Sequence, residues 1–173
     1  MSIKKTLALS FCAVFTGFAI YYFYPVQKIP EGVSIDKIIV AKSKHKLFAY
    51  SKGQLVVTYK VAIGKDPTGR KEFEGDMKTP EGTYTIFDKN SHSEFHKNLG
   101  ISYPNQQDIT QAQRIGKAPG REIKIHGLKN GQGYIGKFHR WRDWTDGCLA
   151  LTNDEMDQLY DHTPIGTLIE IIK

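Results

Sequence analysis

Two side chains in this sequence pair a nucleophile with a proton carrier over a short interval. His126 stands in Ile125-His126-Gly127, and Cys148 follows 22 residues later in Thr145-Asp146-Gly147-Cys148-Leu149. A thiol attacks a carbonyl carbon as its thiolate, and a nearby imidazole is the commonest way to favour that form. Gly147 lets the backbone bend beside the nucleophile where a Cβ would collide. It also allows neighbouring N–H groups to converge on one spot, as an oxyanion hole requires. Cys148 has no intramolecular disulfide partner in the domain, because the other cysteine, Cys12, lies in an apolar leader. Taken alone the pair is weak: a lone cysteine is more often a small buried hydrophobe.

The segments around the pair read as a β-rich domain, mainly β with minor α. Lys37–Lys42, Lys46–Tyr50 and Gln54–Ile63 are apolar, β-branched runs separated by three-residue turns, the pattern of a β-meander. Residues 64–82 hold four glycines, two prolines and nine charged residues, and long loops of this kind tend to be functional. Thr83–Phe87 and Ile123–His126 return to strand patterning. Asp108–Arg114 is expected to form a short helix with Asp108 as its cap. Thr152 and Glu155 are spaced as a capping box, followed by Met156, Leu159 and Tyr160 on one helical face. Gly166–Ile172 closes the chain with a strand.

Ahead of the domain, Thr6–Tyr24 is a run of 19 residues without charge, preceded by Lys4 and Lys5. As a helix it would span about 28 Å, close to the thickness of a bilayer's hydrocarbon. The positive residues before it place the N-terminus inside and send the rest across. Residues 1–24 are therefore expected to be a signal-anchor or signal peptide, with the uncleaved single-pass anchor preferred. Residues 25–36 form a linker and 37–173 an exported domain in the periplasm or cell-wall space. Without Lys4 and Lys5, 22 basic residues face 18 acidic ones. So mild an excess, with no basic stripe, excludes a nucleic-acid footprint.

Read together, these motifs resemble the L,D-transpeptidase catalytic domain, the YkuD-like family. The features that carry the resemblance are His126-Gly127, Thr145-x-Gly147-Cys148 with Leu149 and Asn153 after it, and the Thr79-Pro80-x-Gly82 turn. It covers residues 36–172 and implies a YkuD-like β-sandwich with His126 and Cys148 on adjacent elements. It also implies a cysteine enzyme acting on peptidoglycan stem peptides through a Cys148 thioester, with His126 as general acid and base and no metal or cofactor. The partner is then the stem peptide or a wall-linked lipoprotein. Transpeptidase, L,D-carboxypeptidase and lipoprotein-releasing amidase activities share this chemistry, and a non-catalytic wall-binding module is the alternative of another class. Gly147, Thr145, Asp146 and Gly127 are candidates for the oxyanion hole or substrate positioning. Tyr103, Arg142 and His139 are candidates for substrate binding. Two departures from the family's pattern stand out: Asp146 where it often has His, and Ala150 where it often has Arg.

Overall fold

The computed structural model describes residues 10–173 in full and the backbone of residues 3–9. Eight strands form one mixed, curled sheet in the order β3-β2-β1-β8-β4-β5-β6-β7. The expected meander is β1 (Lys37–Ala41), β2 (Lys46–Ser51) and β3 (Gln54–Lys60), paired antiparallel. The closing strand β8 (Leu168–Ile172) lies parallel to β1. β4 (Gly82–Ser93) is the corner. Its first half pairs with β8, and beyond a register shift near Ile86 its second half pairs with β5 (His96–Ile101). Such irregularities bend a strand and let it pass from one layer to the other. β6 (Lys124–His126) and β7 (Leu149–Ala150) complete the sheet, and an Ala62–Ala150 bridge returns it to the chain just after β3. The expected sandwich is thus a single sheet curled on itself. Its interior is filled by Ile38, Val40, Leu47, Ile86, Leu99, Ile125, Leu149 and Ile169, all buried.

The helices refine the sequence reading in two places. α2 (Gln106–Arg114) is capped by Asn105, while Asp108 sits at the third position and accepts from the Asn105 N–H at 3.0 Å. α3 (Asn153–His162) carries the expected Thr152–Glu155 capping box and buries Met156 and Leu159. α1 spans Ile3–Phe23. Among the described residues, no helix is long and apolar enough to cross a membrane. Residues 6–9 of the expected span lie outside those whose side chains are described. The end of α1 sets Phe18, Tyr21 and Tyr22 against Phe138 and Trp141. Those two rings belong to Gly133–Trp141, a 3₁₀ segment between the histidine and the cysteine.

Candidate active site

Parallel pairing of β6 with β7 brings the two reactive side chains together. Ile125 stands opposite Leu149 and His126 opposite Ala150. Side chains alternate faces along a strand, so Ile125 and Leu149 enter the core while His126 emerges on the other face. Cys148, two residues before Ala150, enters from the same face. Both open onto a cavity of about 550 Å³ whose walls include Phe95, Asn98, Glu122, Lys124, Trp144 and Asp146. His126 is 7% exposed and lies under the Phe95 and Trp144 rings, at centroid distances of 4.8 and 5.7 Å.

The position of the His126 proton follows from its partner. Nδ1 lies 2.7 Å from the Gly127 carbonyl oxygen, which can only accept. Nδ1 therefore carries the hydrogen, and Nε2 is left with a lone pair, the state a general base needs. Gly127 is required here for space: a Cβ would sit 2.8 Å from both Asn153 Oδ1 and His96 Cβ. Asn153 Oδ1 is occupied, accepting the Leu128 N–H at 2.9 Å.

The turn before Cys148 is held by one hydroxyl. Thr145 Oγ1 donates to the Cys148 carbonyl at 2.7 Å and accepts the Gly147 N–H at 3.2 Å. The Gly147 N–H, a candidate for the oxyanion hole or substrate positioning, is thus bonded to Thr145 in this structure. Gly147 has φ +133°, and a Cβ there would meet the Lys78 carbonyl oxygen at 2.7 Å. Thr145 and Gly147 consequently shape the turn that leads into Cys148.

At rest the pair is neutral. Cys148 Sγ donates to the Glu122 carbonyl at 3.4 Å. Burial pushes the thiol above its ordinary value; Lys124 opposes that shift, while the Asp146 and Glu122 charges add to it. Burial pushes His126 below its ordinary value against the pull of the Gly127 carbonyl, and Lys124 lowers it further. A thiolate–imidazolium pair is thus disfavoured from both sides in the free protein.

The remaining expected residues separate. Asp146 lines the cavity and pairs with Lys65 at 2.7 Å across its exposed rim. Tyr103 lies in the core instead of the cleft: it packs on Tyr84, and its hydroxyl donates to the Pro119 carbonyl at 2.6 Å. His139 and Arg142 line a neighbouring cavity. His92 lines the active-site cavity from the β4–β5 hairpin, while His96 pairs with Asp157 at 2.7 Å. No group of three or more potential metal ligands occurs among the described residues. The sequence reading missed Lys65, Asn98 and the Glu122–Lys124 pair. Only Lys124 had a signal, since it shares the His126 face two residues away.

Comparison with known proteins bears on family and fold. The L,D-transpeptidase catalytic domain family (YkuD) matches residues 35–171. The candidate L,D-transpeptidase YqjB of Bacillus subtilis (strain 168) is 27% identical over 137 residues, covering 78% of this chain and 69% of the relative. The candidate L,D-transpeptidase YafK of Escherichia coli (strain K12) is 29% identical over 111 residues, covering 62% of this chain and 37% of its own length. Among solved structures, the helical cell shape determining protein Pgp2 of Campylobacter jejuni superposes with a TM-score of 0.61 at 22% identity, covering 86% of this chain and 51% of that one. An L,D-transpeptidase from Xylanimonas cellulosilytica gives 0.53 at 18% identity, covering 83% and 63%. These structural likenesses bear on fold, and this chain spans only about half of Pgp2.

Proposed function

The chain belongs to the L,D-transpeptidase catalytic domain family, and from that premise we propose that it is a cysteine enzyme acting on peptidoglycan stem peptides. The observation that carries the reading is a single cavity holding Cys148 and a His126 whose proton is fixed on Nδ1. When substrate fills the cavity, the thiol proton passes to His126 Nε2 and the thiolate adds to the carbonyl carbon of the stem peptide's third residue. Collapse of the tetrahedral adduct breaks the C–N bond, and His126 gives its proton to the departing amine, leaving a Cys148 thioester. An incoming amine then forms a new amide and restores the thiol; water in its place releases a shortened peptide.

Fixing the tautomer through a backbone carbonyl needs no third side chain, because the Gly127 oxygen orients the ring and holds the proton away from the sulfur. The uncharged run from Thr6 to Tyr24, with Lys4 and Lys5 before it, supports an exported domain anchored at its N-terminus. Turnover of defined muropeptides by the full chain tests the catalytic reading, with products identified by mass. Wild-type protein is expected to shorten or crosslink tetrapeptides, and Cys148→Ala and His126→Ala to do neither. Folded wild-type protein that leaves every stem peptide unchanged would overturn it.

A further inference from the structure

Across the sheet His126 stands opposite a polar residue on one side only, Asn98 of β5. The Gly127 N–H bonds the Lys97 carbonyl at 3.2 Å, and the Ile101 N–H bonds the Ile123 carbonyl at 3.0 Å. Ladder bonds of an antiparallel pair fall on alternate residues, so Asn98 and His126 form a non-hydrogen-bonded pair. Side chains of such a pair share a face, with their Cβ atoms about 4.5–5.5 Å apart. Both line the active-site cavity. On the other flank the β7 partner is Ala150, buried and without a polar side chain.

Asn98 is 4% exposed, and its Oδ1 is sealed from solvent without a hydrogen-bond partner. An unmatched buried acceptor is costly and calls for an explanation. Because the oxygen is closed to solvent, a partner for it must come from the protein. The resting ring of His126 cannot be that partner. Its hydrogen is on Nδ1, bonded to the Gly127 carbonyl, and its Nε2 carries a lone pair; two acceptors do not bond. The Phe95 and Trp144 rings cover the imidazole, and the Trp144 N–H is directed to His139. Among these neighbours Asn98 alone holds a free acceptor.

Taking the thiol proton reverses the mismatch. Nε2 becomes a donor, and sulfur, once bonded to carbon, no longer accepts that hydrogen. We propose that Asn98 is a positioning residue for the charged state of His126, its Oδ1 serving the imidazolium as the acceptor that the resting ring cannot use. Asn98 thereby steadies the ring between taking the proton from sulfur and giving it to the departing amine. Burial works against the imidazolium, so the charged ring gains most from a nearby acceptor. The contact forms only after proton transfer and so speeds the reaction without tightening substrate binding. The proposal rests on the reading of His126 as general base.

The ionisable groups around the ring are Lys124 on its own strand, Cys148 before β7 and His139 beyond Trp144. Lys65, His92, Glu94, Glu122 and Asp146 stand on the cavity walls. All of them are kept when Asn98 alone is changed, so a difference between variants reports the amide.

The test uses the full chain and Asn98→Leu, which nearly keeps the volume and removes the amide. Its stability to denaturant should be unchanged or higher, because an unmatched buried oxygen is lost. Its kcat on a stem tetrapeptide should fall at least about tenfold, the scale of a hydrogen bond to a charged group, with KM within about twofold. Independently of turnover, the His126 ring protons are titrated by NMR in Cys148→Ala with and without Asn98→Leu. The midpoint should fall by at least about half a pH unit when the amide is removed, since the imidazolium loses its acceptor. A rise would mean that the amide donates to Nε2 at rest, and no change that it leaves the ring untouched; either result overturns the proposal. A marked loss of stability in Asn98→Leu, or a kcat within about twofold of wild type, would also overturn it. If wild-type protein turns over no stem peptide, the catalytic reading fails by itself, and the titration still decides whether Asn98 serves the imidazolium.

Discussion

Gly147→Ala probes the backbone turn that presents Cys148. At φ +133° a side chain is strained wherever it points, which costs about 1–3 kcal/mol. The new methyl would also stand 2.7 Å from the Lys78 carbonyl oxygen and 3.1 Å from Ile123 Cδ1. The carbonyl has little room to retreat: the Lys78 N–H is held by Asp76 at 3.0 Å, and the next residue, Thr79, accepts the Gly64 N–H at 2.9 Å. Overpacking of this kind adds about 1–3 kcal/mol. The sum is about 2–6 kcal/mol, and at roughly 2–4 °C per kcal/mol for a chain of this size the Tm should fall by about 4–24 °C. Gly166→Ala is the control, because its φ of +93° carries strain but a Cβ there meets nothing within 4 Å. Thermal unfolding of both variants separates contact from strain. A Gly147→Ala loss no larger than that of Gly166→Ala would refute the argument from the Lys78 carbonyl.

Other expectations follow from the same geometry. Thr145→Val leaves the Gly147 N–H and the Cys148 carbonyl without their shared hydroxyl, which should cost about 1–3 kcal/mol in denaturant unfolding. Asp76→Asn leaves Lys71 as a buried cation without its 2.8 Å partner, and a loss of about 3–5 kcal/mol is expected. Burial alone would raise the Asp76 pKa, but Lys71 and the N–H groups of Glu72, Lys78 and Phe73 outweigh it and hold the carboxyl below its usual 3.8. Its contribution is thus complete above pH 4 and lost as pH falls through the folded value, so acid unfolding of the Asn variant should be flatter below pH 4. Burial raises the Cys148 thiol from 9.0, so alkylation of the free protein should reach half its limiting rate above pH 9. A midpoint near 7 would contradict the neutral resting pair.

Legibility varied with how local each signal was. The β1–β3 meander and the Thr152–Glu155 cap were readable because turn and capping chemistry act over a few residues. β5 was not. His96-Lys97-Asn98-Leu99-Gly100 is polar and interrupted by glycine, and it becomes a strand because β4 and β6 flank it. Missing β5 also hid Asn98, which stands opposite His126 in the register. At α2 the sequence reading put the cap at Asp108, and the reciprocal hydrogen bonds give it to Asn105, three residues earlier. The curl of the sheet depends on the Ala62–Ala150 bridge and the Lys65–Asp146 rim on groups 81 positions apart. No pattern along the chain encodes either pairing.

Intact-mass spectrometry of the full chain, quenched during reaction with a stem tetrapeptide, tests the central claim most directly. The account expects a mass increase equal to the acyl tripeptide, located on Cys148, sensitive to hydroxylamine and missing in Cys148→Ala. It also expects His126→Ala to form the adduct at least about a hundredfold more slowly, the usual scale for losing a general base. Turnover with no adduct on Cys148, or adduct formation at the wild-type rate in His126→Ala, would contradict it.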